Sequence, residues 1–244
     1  MIIEEFIESS NQAQSVDQLF DLYKQAMHSL GFDRIIFSLM TDHVSIQRQA
    51  GHGIMLNYSE DWMKHYVEKN CEVYDPVRRF MYSAPGAFTW EGLMEKPLHS
   101  DKQRVFMKEG DEAGLHDGIG VPLRGPRGAI AGVGAASSSG GVELRDKKLM
   151  AYVNLLSHQF YTMYMTLESQ RLTKGDQPVI RLSDREQEVL KWCARGKTKS
   201  EVGDILGLSE HTVHTYIKDA LKKLDANNMT LGVLKALQMG LIQL

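Results

Sequence analysis

The spacing of apolar positions changes period several times along the chain. From Val16 to Leu30, the residues Leu19, Phe20, Tyr23, Met27 and Leu30 recur at helical spacing, and Gly31 closes the run. Residues 34–40 and 43–49 read as the two strands of a hairpin, and 59–69 as a helix capped by Ser59. Asp75-Pro76 opens a further short helix, since proline is tolerated in a first turn. Residues 84–99 read as loop and 100–114 as helix. Residues 119–123 and 129–136 read as strands joined by Gly125-Pro126-Arg127-Gly128, a strong turn signal. A long helix then runs from Glu143 to about Leu172. Its apolar residues (Leu149, Met150, Val153, Leu155, Leu156, Phe160, Met163, Met165) cover more than one stripe, which implies burial against two surfaces. One is the domain's own sheet. The other is a second subunit, or more of the same domain. This first part is an α+β domain, an antiparallel sheet with helices on both faces in an α-β-α sandwich.

The last part has a different rhythm. Leu182 to Leu224 reads LSDREQEVLKWCARGKTKSEVGDILGLSEHTVHTYIKDALKKL. Ser183 and Glu186 have capping-box spacing, and the helix they start runs through Val189, Leu190 and Trp192 to Gly196. Thr198 and Glu201 repeat the box for a second helix through Val202, Ile205 and Leu206, which Gly207 ends. After a short turn Ser209 caps a third helix, the geometry of a helix-turn-helix. Val213, Ile217, Ala220, Leu221 and Leu224 form its buried stripe, while His214, Lys218 and Lys222 line another face. Thr212, Thr215 and Lys223 flank that face, and Thr198 and Lys199 stand at the start of the second helix. Cations and short hydroxyls on a helix anchored from behind suit a major groove. A solvated basic face on a small helical domain gives the same pattern, but two capped helices and a tight turn before it favour DNA.

Composition narrows the picture. A chain of 244 residues with 43% apolar content suits two modest soluble domains. The expected division is 1–172, a breaker-rich linker at 173–179 (TKGDQP and its flanks), and an all-α four-helix domain at 180–244. No apolar run approaches a membrane span, and MIIEEFIESS lacks the basic start of a signal peptide. The two cysteines, Cys71 and Cys193, lie in different domains without metal-spaced partners, so a reducing cytoplasm is the expected setting. His211 and His214 have no third metal ligand nearby. The net charge of −3 divides into +2 for residues 181–244 and −5 for the remainder. A weakly basic module holds duplex poorly alone, which favours a dimer.

The candidate pocket lies in YSEDWMKHY and the YDPV that follows. Tyr58, Trp62 and Tyr66 are spaced four apart, on one helix face; Asp75 follows, and Trp90 lies in a loop beyond. Polar-tipped aromatics with one carboxylate fit a mostly apolar small-molecule site. The same aromatics at helical spacing also fit an ordinary core, and Asp before Pro an ordinary turn.

Two resemblances decide between these readings. LSDRE, the GKT turn at Gly196–Thr198, ILGLSEHTV, the KKL at Lys222–Leu224 and the later GLI (Gly240, Leu241, Ile242) resemble the LuxR/GerE-type helix-turn-helix over about the last 65 residues. Trp62, Tyr66, Asp75-Pro76, Trp90 and AGLHDGIGVPL with Gly118 resemble the autoinducer-binding domain of the same family. Gly203 stands where a small Ala is usual, at about 1 kcal/mol of helix propensity, and Tyr216 where many members have His or Lys.

The resemblance implies a transcription regulator responsive to an acyl-homoserine lactone. In it Trp62 donates to the lactone carbonyl, Asp75 accepts the amide N–H, Tyr58 donates to the acyl carbonyl, Tyr66 and Trp90 wall the site, and Gly118 serves backbone geometry. Val77, Phe106, Leu115 and Gly134 complete the candidate pocket. A buried carboxylate without a donor is costly, and the ligand amide is expected to supply one. Gly134 stands where relatives carry Ser or Thr, which is expected to remove a hydroxyl near the amide, to enlarge the space for a medium to long or bulky acyl chain, and to weaken the reading of a 3-oxo group. A homodimer on a pseudo-palindrome in double-stranded DNA follows, with RNA polymerase as a further partner, and no membrane, metal, cofactor or catalytic residue. An enzyme is disfavoured: GxSxG, a phosphate loop and HExxH are all absent. The competing reading is a regulator of the same fold that takes another small molecule or none.

Overall fold

The computed structural model describes residues 2–96, 99–173 and 180–243. Chain contacts divide it into two compact units, the first comprising 1–125 and 129–174 and the second the rest. Apart from Thr173, the expected linker at 173–179 lies outside the described residues.

In the first unit the elements run α1 (Ile2–Asn11), α2 (Val16–His28), β1 (Arg34–Leu39), β2 (Gly51–Leu56), α3 (Glu60–Glu68), α4 (Pro76–Met81), β3 (Phe88–Thr89), α5 (Trp90–Met94), α6 (Asp101–Glu112), β4 (His116–Arg124), β5 (Ile130–Ser137) and α7 (Lys147–Thr173). The strands form one antiparallel sheet in the order β2-β1-β5-β4-β3. Strand alternation sends Ile35, Phe37 and Leu39 of β1, Ile119, Val121 and Leu123 of β4, and Ala131, Val133 and Ala135 of β5 into one core with α1, α2 and α7. There Tyr23 stacks on Phe160 at 4.6 Å, and Phe37 meets Phe160 edge-on at 5.0 Å. The Tyr23 hydroxyl is bonded to Ser157 Oγ at 2.6 Å, so this buried phenol is satisfied.

The opposite face carries α3 to α6 and is built differently. Register aligns Ile36 with Gly134, Gly134 with Gly120, and Gly120 with Phe88. The middle strands therefore place glycines where the flanking strands place large side chains, which lets those side chains lean over the sheet beneath the helices. The α+β, α-β-α sandwich is borne out.

Several element boundaries differ from expectation. Residues 43–49 are not a strand. His43 is fully buried, with Nδ1 bonded to the Thr41 carbonyl at 2.8 Å and Nε2 to Tyr161 Oη at 2.7 Å, and a single 3-10 turn at Val44–Ile46 follows it. The partner of β1 is β2 instead. Residues 84–99 are not all loop, since they hold β3 and α5. α1 was not anticipated; Phe6 on its inner face packs against Tyr23 at 5.9 Å. α7 starts at Lys147 rather than Glu143.

The second unit holds α8 (Asp184–Ala194), α9 (Lys199–Leu206), α10 (Glu210–Lys223) and α11 (Met229–Gln238), an all-α four-helix unit. Both capping boxes form, Ser183 with Glu186 and Thr198 with Glu201, and Ser209 accepts from the Thr212 N–H. Gly196 and Gly207 adopt φ of +82° and +67°, where a side chain is strained. Gly203 is required by packing: a Cβ there would lie 2.6 Å from the Leu208 carbonyl oxygen. Its propensity cost is therefore the cost of the tight approach between α9 and the turn, and alanine does not fit in its place. Val189, Val202, Val213 and Ile217 knit α8, α9 and α10 together.

Candidate ligand pocket and DNA-facing helix

The hollow between the glycine-paved sheet face and α3 to α6 is a cavity of about 620 Å³, mouth included. Ser59 caps α3 by accepting from the Trp62 N–H at 3.3 Å, which points Trp62 and Tyr66 down onto the sheet. Tyr58 precedes that cap, so it reaches the cavity from the entering chain rather than from the helix face. α6 supplies Phe106, whose ring meets Trp62 at 5.6 Å and Tyr66 at 5.9 Å. Val77, Leu115, Trp90 and Gly134 also line the cavity, so all nine residues named for this site converge on it.

Trp90 is not in a loop: it is the first residue of α5, which Thr89 caps. Its ring lies on Gly118, where a Cβ would come within 1.8 Å of the indole. A Cβ on Gly120 would similarly come within 2.3 Å of Phe88. Gly134 does not enlarge the site as expected. A Cβ there would meet Ile36 Cγ2 at 2.9 Å and the Tyr58 hydroxyl at 3.2 Å, so those groups already fill the space.

Asp75 is 7% exposed and caps α4. Contrary to expectation it has donors from the protein. Oδ1 accepts from the Val77 and Arg78 N–H groups at 2.8 and 3.1 Å, and Oδ2 from the Tyr66 hydroxyl at 2.9 Å. Burial raises its pKa, against the pull of those donors and of the Arg78 charge. A carboxylate offers about four acceptor positions, so one remains for a further donor.

Tyr58 and Trp90 are different. Among the described residues, the Tyr58 hydroxyl and the Trp90 indole nitrogen are buried and find no hydrogen-bond partner. An unsatisfied buried donor costs about 1–3 kcal/mol. Burial, and then the Asp75 charge, raise the Tyr58 pKa far above its ordinary value, so its hydroxyl stays protonated and can donate.

Several lining residues were not anticipated: Ser38, Met40, His52, Arg78, Met81, Met107, Gly110 and Gly132. Ser38 had a signal, as the polar residue between Phe37 and Leu39 in the otherwise apolar run from Ile35 to Leu39. Arg78 had none, because a helix as short as α4 defines no inner face by periodicity.

In the second unit, α10 turns Val213, Ile217 and Ala220 inward and exposes His214, Thr215, Lys218 and Lys222. Thr198 and Lys199 are exposed at the start of α9, and Lys199 Nζ lies 3.1 Å from His214 Nδ1, joining the two helices on that face. Thr212 is half-buried, its hydroxyl bonded to Ser209 at 2.8 Å, and Thr215 donates to the His211 carbonyl at 3.1 Å. Lys223, which flanks the same face, is paired within the protein. Its Nζ is 2.8 Å from both carboxylate oxygens of Glu186, which is 4% exposed, so it ties the end of α10 to the start of α8.

Comparison with known proteins matches both parts of the chain to described families. The family description "Autoinducer binding domain" matches residues 15–163, and "Bacterial regulatory proteins, luxR family" matches 181–236. The chain is 30% identical over 229 residues to the HTH-type transcriptional regulator y4qH of Sinorhizobium fredii, covering 93% of this chain and 69% of that protein. It is 29% identical to the quorum sensing-dependent transcriptional regulator RpaR of Rhodopseudomonas palustris, covering 98% and 94%. In fold it is similar to SdiA of Escherichia coli, with a TM-score of 0.78 at 22% identity over 99% of this chain and 98% of that one.

Proposed function

This chain belongs to the luxR family of quorum-sensing transcription regulators, and from that premise we propose that its ligand is an N-acyl-homoserine lactone of medium to long chain. The observation that carries the proposal is the unpartnered Tyr58 hydroxyl, set with the Trp62 and Trp90 rings in an apolar cavity beside an Asp75 that has room for one more donor. Such a site asks for a molecule with two acceptors, one N–H and a greasy remainder. An acylated amide on a lactone has all of these. In the proposed pose Asp75 accepts the amide N–H, Tyr58 donates to the acyl carbonyl and Trp62 donates to the lactone carbonyl. The tail lies among Val77, Leu115, Phe106 and the methionines, each buried methylene contributing about 0.8 kcal/mol.

The chain then acts on promoter DNA as a homodimer. Residues 1–172 bind ligand and dimerise, and 180–244 bind DNA. Two copies of α10 enter successive major grooves of a pseudo-palindrome about one helical turn apart, or a small multiple. His214 and Lys218 read base edges. Thr212, Lys222 and the α9 start at Thr198 and Lys199 hold phosphates, with Thr215 beside them. RNA polymerase is the further partner, and the setting is the cytoplasm.

The test is mass spectrometry of small molecules released from purified protein, with melting curves against added compounds. Ligand that binds only the folded chain stabilises it by about 2.7 kcal/mol at a hundredfold excess over Kd. A second head group has a specific precedent: SdiA is described in complex with octanoyl-rac-glycerol. Acyl glycerols therefore form the comparison arm. A larger shift from them than from any acyl-homoserine lactone would overturn the proposed head group.

A further inference from the structure

α9 begins with a cation that helix stability does not call for. Lys199 is its first residue, directly after the cap Thr198, and is exposed. Helix N-termini carry partial positive charge, so acidic side chains are favoured there and lysine is not. The capping box is complete with Thr198 and Glu201, and it is Lys197 that pairs with the Glu201 carboxylate, at 3.3 Å. What Lys199 touches lies on the other helix: its Nζ is 3.1 Å from His214 Nδ1, in the second turn of α10.

Both ends of this contact start from fixed backbone. Val202 and Val213, each fully buried, pack α9 against α10. The Leu208 N–H donates to the Gly203 carbonyl at 2.9 Å and holds the turn between the two helices. The separation between the roots of the Lys199 and His214 side chains is therefore set by the core of the unit.

The chemistry of the pair assigns the ring proton. An ammonium has three donors and no acceptor, so His214 Nδ1 must offer its lone pair, which leaves the single ring proton on Nε2. An exposed imidazole without such a neighbour adopts either tautomer and offers a base a donor or an acceptor as required. Beside Lys199 it offers only a donor. The other two N–H groups of Lys199 are left for a phosphate.

The major-groove edges of the bases respond differently to a fixed donor. Guanine presents two acceptors, N7 and O6; adenine and thymine present one each; cytosine presents an amine donor. A donor-only imidazole suits guanine best and meets cytosine donor to donor. We infer that Lys199 is a positioning residue that locks His214 as an Nε2 donor, so that the operator base facing His214 is guanine and cytosine is rejected. The inference rests on the reading of His214 as a base reader.

The test is selection of binding sites from random duplexes by the full-length protein, with and without N-decanoyl-homoserine lactone. It compares the natural chain, His214→Ala and Lys199→Met. The position that His214 faces is the one whose preference disappears in His214→Ala. There the natural chain should favour guanine over cytosine by about tenfold. In Lys199→Met the freed ring can turn an acceptor to the cytosine amine, so the ratio should fall to about twofold or less while other positions keep their preferences. Loss of a phosphate contact alone weakens every sequence alike and leaves that ratio standing. The inference is overturned if the preferred base there is not guanine, or if the ratio survives Lys199→Met. If no motif is selected in either condition, or if His214→Ala alters no position of it, the reading of His214 as a base reader falls, and this inference with it.

Discussion

Tyr58→Phe deletes one oxygen and has opposite consequences in the empty and filled protein. In the empty chain the Tyr58 hydroxyl is buried without a partner, on a residue 8% exposed. The cost of that arrangement is about 1–3 kcal/mol, and the variant recovers part of it because phenylalanine fits the same space. Unliganded Tyr58→Phe should therefore be as stable as the natural chain or more stable by about 1 kcal/mol, roughly 2–4 °C in Tm for a chain of this size. In the proposed pose the same hydroxyl donates to the ligand, so its removal should forfeit a hydrogen bond of about 0.5–1.5 kcal/mol net, or roughly two- to tenfold in Kd.

Urea melts of the unliganded protein and calorimetry with an acyl-homoserine lactone measure the two halves. A structural tyrosine would show the reverse pattern, with stability falling by 1 kcal/mol or more and affinity holding. That result would mean the hydroxyl has a partner within the protein, and would remove the main support for its role as a ligand donor.

Further expectations follow from single contacts. Gly118→Ala places a Cβ 1.8 Å from the Trp90 ring; displacing the indole should cost about 1–3 kcal/mol and lower ligand affinity, read by melting and calorimetry. Lys222 is exposed whereas Lys223 is tied to Glu186. Lys222→Ala should weaken binding to all DNA sequences and flatten the salt dependence, while Lys223→Ala should lower the melting temperature and leave the salt slope unchanged; equal salt slopes in both variants would refute the division. Burial raises the Glu186 pKa, but hydrogen bonds from Lys223 and Ser183 outweigh it and leave the pKa below the ordinary 4.5. Its stabilising effect is present above the unfolded-state value and lost as pH falls through the lower folded value, so acid melts of natural and Glu186→Gln protein should converge as pH falls below the ordinary carboxylate range. A gap that persisted undiminished in acid would count against the ion pair.

What could be read from the chain in advance was local. Capping boxes and glycine stops specify α8, α9 and the start of α10 within a few residues, and these formed as expected. Tyr58, Trp62, Tyr66 and Asp75 were visible as a cluster because they lie within one short stretch. What stayed hidden depends on distant partners. α5 is only five residues long, and its first residue is held by a glycine on β4 rather than by any periodicity. Residues 43–49 alternate like a strand, yet His43 finds its partner in Tyr161, far along the chain. Asp75 looked like a carboxylate in need of a donor because the three groups that serve it come from a helix turn and a tyrosine on another helix.

The two faces of the sheet explain how the ligand can govern the whole molecule. The same three strands pack Phe37, Val133 and Val121 against α2 and α7 on one side and, on the other, present Ile36 and Gly134 to the cavity and Gly120 to the Phe88 ring. The first side has its core in the chain itself. On the second side the glycines leave room for the large side chains that cover them, a cavity remains between those side chains, and in the proposed reading the ligand completes that core. A domain is typically stable by only about 5–15 kcal/mol. The roughly 2.7 kcal/mol that saturating ligand contributes is then a large share, enough to change the folded population about a hundredfold. The DNA-binding part carries a net charge of only +2, so phosphate attraction on one copy is weak and productive binding rises steeply with the number of paired, folded copies. Within the proposed reading, a small change in the folded population of the first unit becomes a larger change in operator occupancy. Substitutions that fill the hollow from within should therefore reduce dependence on ligand in proportion to the stability they add.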